Sequence, residues 1–522
     1  MAADLLAGSV LVVYLAILVA LFAYGLDFLY LTFVALRTTD RQPPTAVPAT
    51  WPRVTVQLPV FNELYVVRRL IDAAAQLRYP ADRLEIQVLD DSSDETTAIV
   101  ADRVASWRSQ GVDIRHVRRT DRRGFKAGAL AHGLGLASGE LMAIFDADFV
   151  PQPDFLTRTV PVLVADPGLA FVQARWGHTN RDHSLLTRLQ ALSIDGHFAV
   201  QQAGRWASGR WFNFNGTAGL WRRAAMVAAG GWEHDTLTED LDISYRAFLA
   251  GWRAAYVRAV EAPAELPASF NAYRRQQHRW ARGSFENAAK HLPAIWHSNL
   301  SLGRKTSATL HLTGYGIQIL LLALSLIYPV LLLLSSRTSF VVAPLTIVGV
   351  FNLTTLAPTL LYTVGQRQLG RRWAAELPAV LALSALGAGM MVNTARAALQ
   401  ALGGRPAVFE RTPKFGLGAG RQDWLRLRYQ LRVDPIVFVE AGLAALDLWT
   451  CSYAIAIGSW GVALYAGLFA AGLAATVGIT VTQALRAAWA GRPSAPPAAP
   501  SPPARTERAA PPPAEVLAER SA

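Results

Sequence analysis

The stretch LMAIFDADF (Leu141 to Phe149) ends a predicted strand with two carboxylates, Asp146 and Asp148, separated by one small residue. Other short apolar runs alternate with helical stretches from about Arg53 to Ala264, and we expect them to form strands of the same sheet: VTVQLPV, IQVLDD, IRHVRR and LAFVQARW. Sheets in α/β domains hold ligand-binding residues just beyond the carboxyl ends of their strands. The pattern therefore predicts an α/β domain with a site at this pair of aspartates.

The spacing of Asp146 and Asp148 suits a divalent cation. Both carboxylates can approach one Mg²⁺ or Mn²⁺, whose remaining coordination positions would be filled by phosphate oxygens and water. A solvated turn explains the same residues, because two aspartates at this spacing are common. The motif alone leaves both interpretations open.

Three further segments place polar residues where a nucleotide can bind. LPVFNE (Leu58 to Glu63) and VLDDSSDET (Val88 to Thr96) each end a strand, and Asp90 or Asp91 can accept a hydrogen bond from a base N–H. RRGFKAGAL brings Lys126 to an expected helix start, which suits a diphosphate. Strand-end capping and turn chemistry are the alternative for each segment.

The triplet TED (Thr238 to Asp240) offers carboxylates that need not bind metal. Asp240 is a candidate general base, able to take a proton from an incoming hydroxyl. Alternatively, Thr238 caps a helix that has acidic residues in its first turn. Taken in isolation, the triplet favours the cap.

The stretch QQHRW (Gln276 to Trp280) precedes the apolar segments of the C-terminal half. Trp280 offers a flat apolar face on which a sugar ring can rest, while Gln276 and Arg279 offer donors to sugar hydroxyls or a diphosphate. Taken in isolation, the stretch favours a surface helix with a buried tryptophan.

The composition indicates an integral membrane protein. Hydrophobic residues make up 52% of the 522 residues and charged residues only 17%, with long uncharged runs near both ends. The net charge of +12 agrees with arginine-rich cytoplasmic loops, and no zinc-finger, helix-turn-helix or RNA-binding signature accompanies it, so we expect no nucleic-acid partner. The single cysteine, Cys451, excludes a disulfide or a cysteine-based zinc site within one chain.

The apolar runs divide the chain into seven segments. We expect an N-terminal transmembrane helix in 1–40, a cytoplasmic α/β domain in 50–300, two transmembrane helices in 305–366, an interfacial or re-entrant helix in 374–402, a cytoplasmic loop in 403–432, two transmembrane helices in 435–486 and a disordered Pro/Ala-rich tail in 490–522. Five crossings, with the N-terminus outside, keep the basic loop on the cytoplasmic side. The chain is thus predicted to be a multi-pass protein of the inner or plasma membrane. Asp27, inside the first run, should face protein or lie near the interface.

The ordered motifs LPVFNE, VLDDSSD, GFKAGAL, FDADF, FNGTAG, TED and QQHRW, followed by membrane helices, resemble the processive family-two glycosyltransferases. These are inverting enzymes that include cellulose, hyaluronan and chitin synthases. The phrases QVLDDSSDET, FDADFVPQPDFLTRTVP, VQARW, FNGTAGLWR, AGGW and YRRQQHRW most resemble plant cellulose-synthase-like mannan and glucomannan synthases. The resemblance runs from Val54 to about Leu485 and implies an α/β GT-A (Rossmann-like) domain inserted between transmembrane helices.

The resemblance also implies roles for individual residues. It makes Asp240 the catalytic base, with Glu239 beside it, and makes Asp146 and Asp148 the metal ligands. The residues that it assigns to the nucleotide and donor sugar are Glu63, Asp90, Asp91, Lys126, Asp146, Gln276, Arg279, Trp280, Thr412 and Lys414. Those that it assigns to the acceptor are Asn215, Gly216, Thr217 and Trp280.

The segment FERTPK (Phe409 to Lys414) resembles the gating-loop pattern F-x-V-T-x-K of these synthases, which folds over bound nucleotide. It departs from that pattern because Arg411 stands where valine is usual. The resemblance implies that Thr412 and Lys414 reach the diphosphate. Only a cytoplasmic loop can do so, which supports the interfacial assignment of 374–402.

The function implied by the resemblance is polymerisation of a hexose into a β-linked polysaccharide, such as a β-1,4 mannan, glucomannan or glucan, with inversion and with export through the protein's own membrane helices. The donor is GDP-mannose, GDP-glucose or UDP-glucose, and the likeness to mannan synthases favours GDP-mannose. The other expected partners are the growing chain, the bilayer and, as an open option, an accessory export protein. Two alternatives remain, namely a non-processive enzyme that makes a glycolipid and a non-catalytic transporter or scaffold that binds nucleotide.

Overall fold

The computed structural model describes residues 2–39, 41–335, 353–404, 409–417, 424–429 and 432–490. The predicted tail after 490 lies outside the described residues, as do parts of the predicted second membrane helix of 305–366 and of the 403–432 loop. All statements below concern the described residues.

A seven-stranded mixed sheet forms the centre of the α/β domain. The strands are β1 (Val54–Val60), β2 (Leu84–Asp90), β3 (Ile114–Arg118), β4 (Leu141–Ile144), β5 (Leu169–His178), β6 (Gly219–Arg222) and β7 (Arg253–Ala264). Their order across the sheet is β3-β2-β1-β4-β6-β5-β7. Strand β6 runs antiparallel to both of its neighbours, and the other neighbouring pairs are parallel.

The register of the parallel strands brings the predicted polar segments to one edge. Val60 at the end of β1 pairs with Asp90 at the end of β2, and Gln57 of β1 pairs with Ile144 at the end of β4. The residues that follow these three strands therefore lie side by side. This edge is where the sequence predicted the site.

Alternation along the strands gives each face of the sheet its own hydrophobic cluster. In β4, Leu141 and Ala143 belong to one cluster, while Met142 and Ile144 belong to the other. Helices cover both faces, since a strand buried on both sides needs apolar partners above and below it. The helices of this domain are Val67–Ala75, Thr96–Ser109, Phe125–Leu136, Phe155–Ala165, Leu185–Gly196, Ala203–Ala207, Arg223–Ala228, Glu239–Leu249 and Phe270–His297, with a π-helical segment at His197–Gln202 and a 3₁₀ turn at Ala81–Arg83.

Helices outside the domain account for the apolar runs of the sequence. They are Ala2–Arg37, Leu302–Leu312, Gly316–Ser335, Ala357–Gln368, Trp373–Gly389, Met391–Leu402, Ile436–Ala456 and Trp460–Ala490, with 3₁₀ turns at Leu353–Leu356 and Trp424–Arg426. Among the described residues, four helices are long and apolar enough to cross a membrane: Ala7–Arg37, Gly316–Leu334, Ile436–Ala456 and Trp460–Trp489. These helices indicate a membrane protein, and the number and direction of the crossings stay predictions.

The predicted helix at 374–402 consists of two helices, Trp373–Gly389 and Met391–Leu402, bent by 44° with respect to each other. The bend follows a Gly-Ala-Gly stretch, and glycine is a poor helix former. Close packing also requires a glycine here, because a Cβ on Gly389 would lie 2.5 Å from the carbonyl oxygen of Gly472. Whether this bent pair crosses the membrane or lies at its surface stays a prediction.

Asp27 joins the first apolar helix to the α/β domain. Its carboxylate lies 2.9 Å from Arg205 and 2.8 Å from Arg210, and only 5% of its side chain is exposed. The predicted orientation towards protein is therefore observed. This buried ion pair fixes the helix against the segment that follows the π-helical turn.

Candidate active site

A cavity opens at the carboxyl edge of the sheet and holds about 1250 Å³ of empty space, its open mouth included. Most of the residues predicted for the site line it: Glu63, Asp91, Lys126, Asp146, Asp148, Asn215, Gly216, Glu239, Asp240, Gln276, Arg279, Trp280, Thr412 and Lys414. The predicted residues from several separate segments of the chain therefore share one cavity.

Two predicted site residues, Asp90 and Thr217, lie beneath the cavity rather than on its wall. Asp90 is buried and accepts hydrogen bonds from the backbone N–H of Ser92 at 2.8 Å and from His116 Nε2 at the same distance. Burial by itself would raise the pKa of Asp90, but these hydrogen bonds lower it below the ordinary value. The Thr217 hydroxyl accepts from the backbone N–H of Asp146 at 2.9 Å. Each of the two side chains thus accepts a hydrogen bond from a backbone N–H group near the end of a strand.

Lys126 contacts residues from three other segments of the chain at the cavity wall. It follows Phe125, the first residue of the helix Phe125–Leu136, after Gly124, whose φ of +72° favours glycine. Its ammonium lies 2.5 Å from Asp146 Oδ1 and 3.7 Å from Glu239, and it donates to the carbonyl of Gly216. Burial lowers the pKa of Lys126, but the charges of Asp146 and Glu239 more than offset this and raise it. The lysine is therefore cationic at neutral pH.

The segment Phe409 to Leu417 enters the cavity from the C-terminal part of the chain. Lys414 Nζ lies 2.7 Å from Asp148 Oδ2, and the backbone N–H groups of Phe415 and Leu417 donate to Glu265 at 2.7 and 3.0 Å. Phe409 stacks on Phe125 with ring centroids 6.0 Å apart. The gating-type loop thus contacts the proposed metal pair in this structure.

Asp240 lies in the first turn of the helix Glu239–Leu249. Thr238 occupies the N-cap position without a side-chain capping bond, and its hydroxyl accepts from Asn287 Nδ2 at 3.0 Å instead. Burial and the neighbouring Glu239 raise the pKa of Asp240 to about 7, against the opposing charge of Lys126. A carboxylate with this pKa can both accept and release a proton near neutral pH.

Gly216 lies next to the carboxylate of Asp240 and the ammonium of Lys126. Its φ is +77°, and a Cβ at this position would lie 3.1 Å from Asp240 Oδ2 and 3.3 Å from Lys126 Nζ. The backbone conformation therefore favours glycine, and a Cβ would also force Asp240 or Lys126 to shift by a few tenths of an ångström. The neighbouring Asn215 also lines the cavity, which places the FNGTAG segment next to the candidate base.

The residues of QQHRW share one face of the long helix Phe270–His297. Gln276, Arg279 and Trp280 are spaced three and four residues apart, and all three line the cavity. The Trp280 ring lies 6.4 Å from that of Trp176 on β5, at an angle of 57°. Two indole faces therefore stand at the end of the cavity next to this helix.

Several lining residues were not predicted. They are Phe61, Arg122, Trp176, His178 and Phe409, all on the cavity wall. Each lies next to or within a quoted motif. Only Phe61 comes directly after a strand, whereas Trp176 and His178 lie within β5 and Arg122 and Phe409 lie in loops, so no single sequence signal marks these residues.

The donor atoms of the site fit a divalent cation and a phosphorylated ligand. Asp146 and Asp148 supply carboxylate oxygens, which hard cations such as Mg²⁺ and Mn²⁺ prefer. Arg279 Nε and Thr412 Oγ1 are buried and have no hydrogen-bond partner among the described residues. Such atoms need a ligand or water to satisfy them.

A second acidic group, Glu233, Asp235 and Asp242, lies outside the cavity. Lys290 Nζ lies 2.6 to 2.8 Å from all three carboxylates, and Arg246 Nη2 lies 2.6 Å from Asp242. Hydrogen bonds from His291, Arg246 and this lysine lower the pKa of Asp242 despite its burial. We therefore assign this group to structural ion pairing.

Comparison with known proteins identifies the domain. Residues 52–283 match the family model "Glycosyltransferase like family 2". Two Arabidopsis thaliana proteins, glucomannan 4-beta-mannosyltransferases 9 and 2, are 47% and 48% identical to this chain over 239 residues, which is 45% of this chain and 45% of each relative. The matched region thus spans about half the length of these curated relatives. The family match and the mixed sheet confirm the predicted GT-A domain and the predicted resemblance.

A solved structure, the mannosyltransferase PcManGT from Pyrobaculum calidifontis in complex with GDP-Man and Mn²⁺, is 25% identical to this chain. The likeness covers 70% of this chain and 98% of that one, with a TM-score of 0.46.

Proposed function

Because residues 52–283 form a family-two glycosyltransferase domain, we propose that the whole chain is a membrane-embedded, inverting and processive β-glycosyltransferase. Its product is a β-1,4 mannan or glucomannan, and its preferred donor is GDP-mannose. Sequence identity of 47–48% to glucomannan 4-beta-mannosyltransferases supports the choice of sugar and linkage. The observation that carries the proposal is one cavity that joins Asp240, the aspartate pair and Trp280.

Asp240 is the proposed base of the transfer step. Its carboxylate takes the proton of the acceptor hydroxyl while that oxygen bonds to the anomeric carbon of the donor sugar. The bond from this carbon to the diphosphate oxygen breaks, and its electron pair leaves with the nucleoside diphosphate. A single displacement of this kind inverts the anomeric centre. A pKa of about 7 suits Asp240 to the task at neutral pH.

Positive groups receive the charge of the leaving diphosphate. Lys126 is cationic and only 15% exposed, and Arg279 lines the same cavity with its Nε unpartnered among the described residues. Asp146 and Asp148 would hold Mg²⁺ or Mn²⁺, which neutralises phosphate oxygens when bound. Lys126 and Lys414 contact these two carboxylates, and we infer that both lysines turn to the diphosphate when a donor binds.

The acceptor end is proposed to rest against Trp280 and Trp176, next to Asn215 and Gly216. Indole faces suit the apolar faces of hexose rings. The helix that carries Trp280 packs against Met391–Leu402 and Trp460–Ala490, so the acceptor site adjoins the apolar helices. This adjacency supports export of the polymer through them, with the catalytic domain on the cytoplasmic side of the inner or plasma membrane.

The test is to supply the purified full chain with radiolabelled GDP-mannose, GDP-glucose and UDP-glucose, each with Mg²⁺ or Mn²⁺. We expect a long product from GDP-mannose that endo-β-1,4-mannanase degrades, and none when the metal is chelated. A product of one or a few sugars extracted with lipid would instead establish the non-processive alternative. No turnover of any donor would contradict the proposal that the chain is an active transferase.

A further inference from the structure

A chain of hydrogen-bonded side chains lies behind the cavity wall next to the candidate base. Asn215 lines the cavity, and its Nδ2 lies 3.1 Å from His197 Nε2, while its Oδ1 accepts from Gln202 Nε2 at 2.5 Å. His197 Nδ1 in turn lies 3.0 Å from Gln201 Oε1. The backbone N–H of Asn215 donates to Gln173 Oε1 at 2.8 Å, so Asn215 is held at its main chain as well as at its side chain.

One backbone carbonyl determines which atoms of this chain donate and which accept. Gln202 Nε2 also donates to the carbonyl oxygen of Asn213 at 3.0 Å, and a carbonyl oxygen can only accept. The Gln202 nitrogen therefore faces Asn215 Oδ1, which turns Asn215 Nδ2 towards His197. Since that nitrogen can only donate, His197 Nε2 accepts and the Nδ1 proton goes to Gln201 Oε1. Burial lowers the pKa of His197 to about 4, which agrees with a neutral ring.

The π-helical segment His197–Gln202 brings the two side chains to the same amide. An α-helix turns about 100° per residue, so side chains five positions apart point about 140° away from each other. In a π-helix the hydrogen bonds join residues five apart, so such positions lie nearly one above the other. His197 and Gln202 are five positions apart, and both contact the side chain of Asn215. Short π-helical turns of this kind frequently occur at functional sites.

Gln202 keeps its orientation although one of its own atoms stays unpaired. The residue is fully buried, and its Oε1 has no hydrogen-bond partner among the described residues. Rotating the amide would place this oxygen against the carbonyl of Asn213, so the donor side is retained there. An unpaired buried polar atom destabilises a protein and calls for an explanation. The contacts offer one, namely that Gln202 holds Asn215.

Asn215 keeps one hydrogen-bond donor for a ligand. With Oδ1 and one Nδ2 hydrogen engaged, its second side-chain N–H has no partner among the described residues. Asn215 precedes Gly216, at which a Cβ would lie 3.1 Å from Asp240 Oδ2. It therefore lies beside the candidate base, where the accepting sugar must be placed. An N–H donor binds an atom with a lone pair, and a sugar offers such atoms chiefly in its hydroxyl groups.

We propose that His197 and Gln202 are positioning residues for the acceptor: they hold the Asn215 amide so that its remaining N–H donates to a hydroxyl oxygen of the terminal acceptor sugar. The inference rests on the proposed glycosyltransferase function and deepens it by naming how the acceptor is recognised. Neither His197 nor Gln202 lines the cavity, so both act through Asn215. They lie outside every motif that the sequence singled out.

The sharpest test removes single hydroxyl groups from the acceptor. We would titrate the purified full chain, with GDP and Mn²⁺ present, with β-1,4-mannotetraose and with analogues that lack the 2-, 3-, 4- or 6-hydroxyl of its non-reducing terminal sugar. Calorimetry gives each Kd. We expect one analogue to bind roughly threefold to tenfold more weakly than the parent, because one hydrogen bond is lost. Equal Kd values for the parent and all analogues, or no binding of the parent, would overturn the inference.

Variants show whether His197 and Gln202 act through Asn215. His197→Phe keeps a ring but cannot accept, so the weakly bound analogue and the parent should now bind within about twofold of each other. His197→Gln offers an amide oxygen in place of Nε2 and should restore most of the discrimination. Gln202→Met fills similar space without a donor and should behave like His197→Phe. Unchanged discrimination in a folded His197→Phe would overturn the inference.

His311→Phe is the matched control for a general loss of stability. His311 Nδ1 lies 2.8 Å from the Tyr245 hydroxyl, and neither of these residues lines the cavity. The variant should lower Tm, as His197→Phe does, but keep the discrimination between parent and analogue. The Kd for GDP should be unchanged in every variant. An equal loss of discrimination in His311→Phe would assign the effect to loosened structure and overturn the positioning role.

The outcomes separate this inference from the proposed function. Mannan made by a wild type that does not discriminate between the parent and any analogue would overturn the positioning role and leave the synthase intact. Discrimination that His197→Phe abolishes, in a chain that transfers sugar from no donor, would support the role of Asn215 and overturn the synthase.

Discussion

Lys414 Nζ lies 2.7 Å from Asp148 Oδ2, although 266 residues separate the two in sequence. A lysine of the loop therefore contacts one of the two carboxylates proposed to hold a divalent cation. We propose that this contact links the position of the loop to occupancy of the proposed metal site, because an ammonium and a metal ion would compete for the same carboxylate. The contact also shows that the loop lies at the carboxyl edge of the sheet, where Asp148 lines the cavity.

The first prediction concerns Asp148. Replacing it with asparagine (Asp148→Asn) should lower transfer by about 10² to 10³-fold, since a carboxylate that stabilises the leaving diphosphate through a cation is lost. The measurement is initial rate against Mn²⁺ concentration. Glu233→Gln is the control, because that carboxylate contacts Lys290 outside the cavity, and it should keep its rate. A normal metal titration in Asp148→Asn would contradict the assignment.

Gly216 provides a test of the close approach to Asp240. Gly216→Ala should reduce transfer at least tenfold, because its Cβ would lie 3.1 Å from Asp240 Oδ2. Gly209→Ala carries the same kind of backbone strain, with φ of +67°, but its Cβ would meet only Arg304 at 3.9 Å. Comparing the two variants by kcat and by thermal unfolding separates strain from crowding. Equal loss of activity in both would show that crowding at Asp240 plays no part.

The raised pKa of Asp240 predicts a pH dependence. The base must be ionised to take a proton, and its pKa of about 7 lies well above the ordinary value of 3.8. Below about pH 7 the carboxyl is increasingly protonated, so kcat/KM should fall about tenfold for each further pH unit and level off above the pKa. Initial rates across the range, with donor well below KM, check this. A flat profile between about pH 5 and pH 8 would rule out Asp240 as the base.

Substitution of Asp27 tests whether its buried ion pairs hold the first apolar helix against the α/β domain. Asp27→Ala leaves Arg205 and Arg210 without their buried carboxylate and should destabilise the protein by about 3–5 kcal/mol. Thermal unfolding in detergent would show this as a clear drop in Tm. Asp182→Ala removes an exposed partner of Arg181, and its effect should stay below about 1 kcal/mol. Similar Tm values for the two variants would mean that the buried pair does not hold the helix.

The sequence predicted which residues line the cavity wherever a polar residue follows a strand, because parallel strands bring their carboxyl ends to one edge. It could not separate Asp90 from Asp91. Successive side chains of a strand point to opposite sides, so one carboxylate enters the cavity and its neighbour is buried against His116. Which of them does so depends on the register, and a pair of identical residues carries no signal for it.

The sequence pattern does not predict contacts between segments that lie far apart in the chain. Trp176 follows an apolar run and is typical of a core residue, and only the packing of the helix Phe270–His297 brings it beside Trp280. The Arg411–Glu63 pair depends on where the loop enters the cavity. The bend at Met390 depends on packing against Gly472, which periodicity does not report.

The central claim is that Asp240 drives polymerisation of mannose into a β-linked chain. The most direct measurement gives purified wild type and Asp240→Asn the same radiolabelled GDP-mannose with Mn²⁺, and compares polymer that endo-β-1,4-mannanase degrades with the Kd for GDP. We predict abundant degradable polymer from the wild type, a loss of about 10² to 10⁴-fold in the variant, and an unchanged Kd. Polymer at the wild-type rate from Asp240→Asn, or no mannanase-sensitive product from the wild type, would contradict the account.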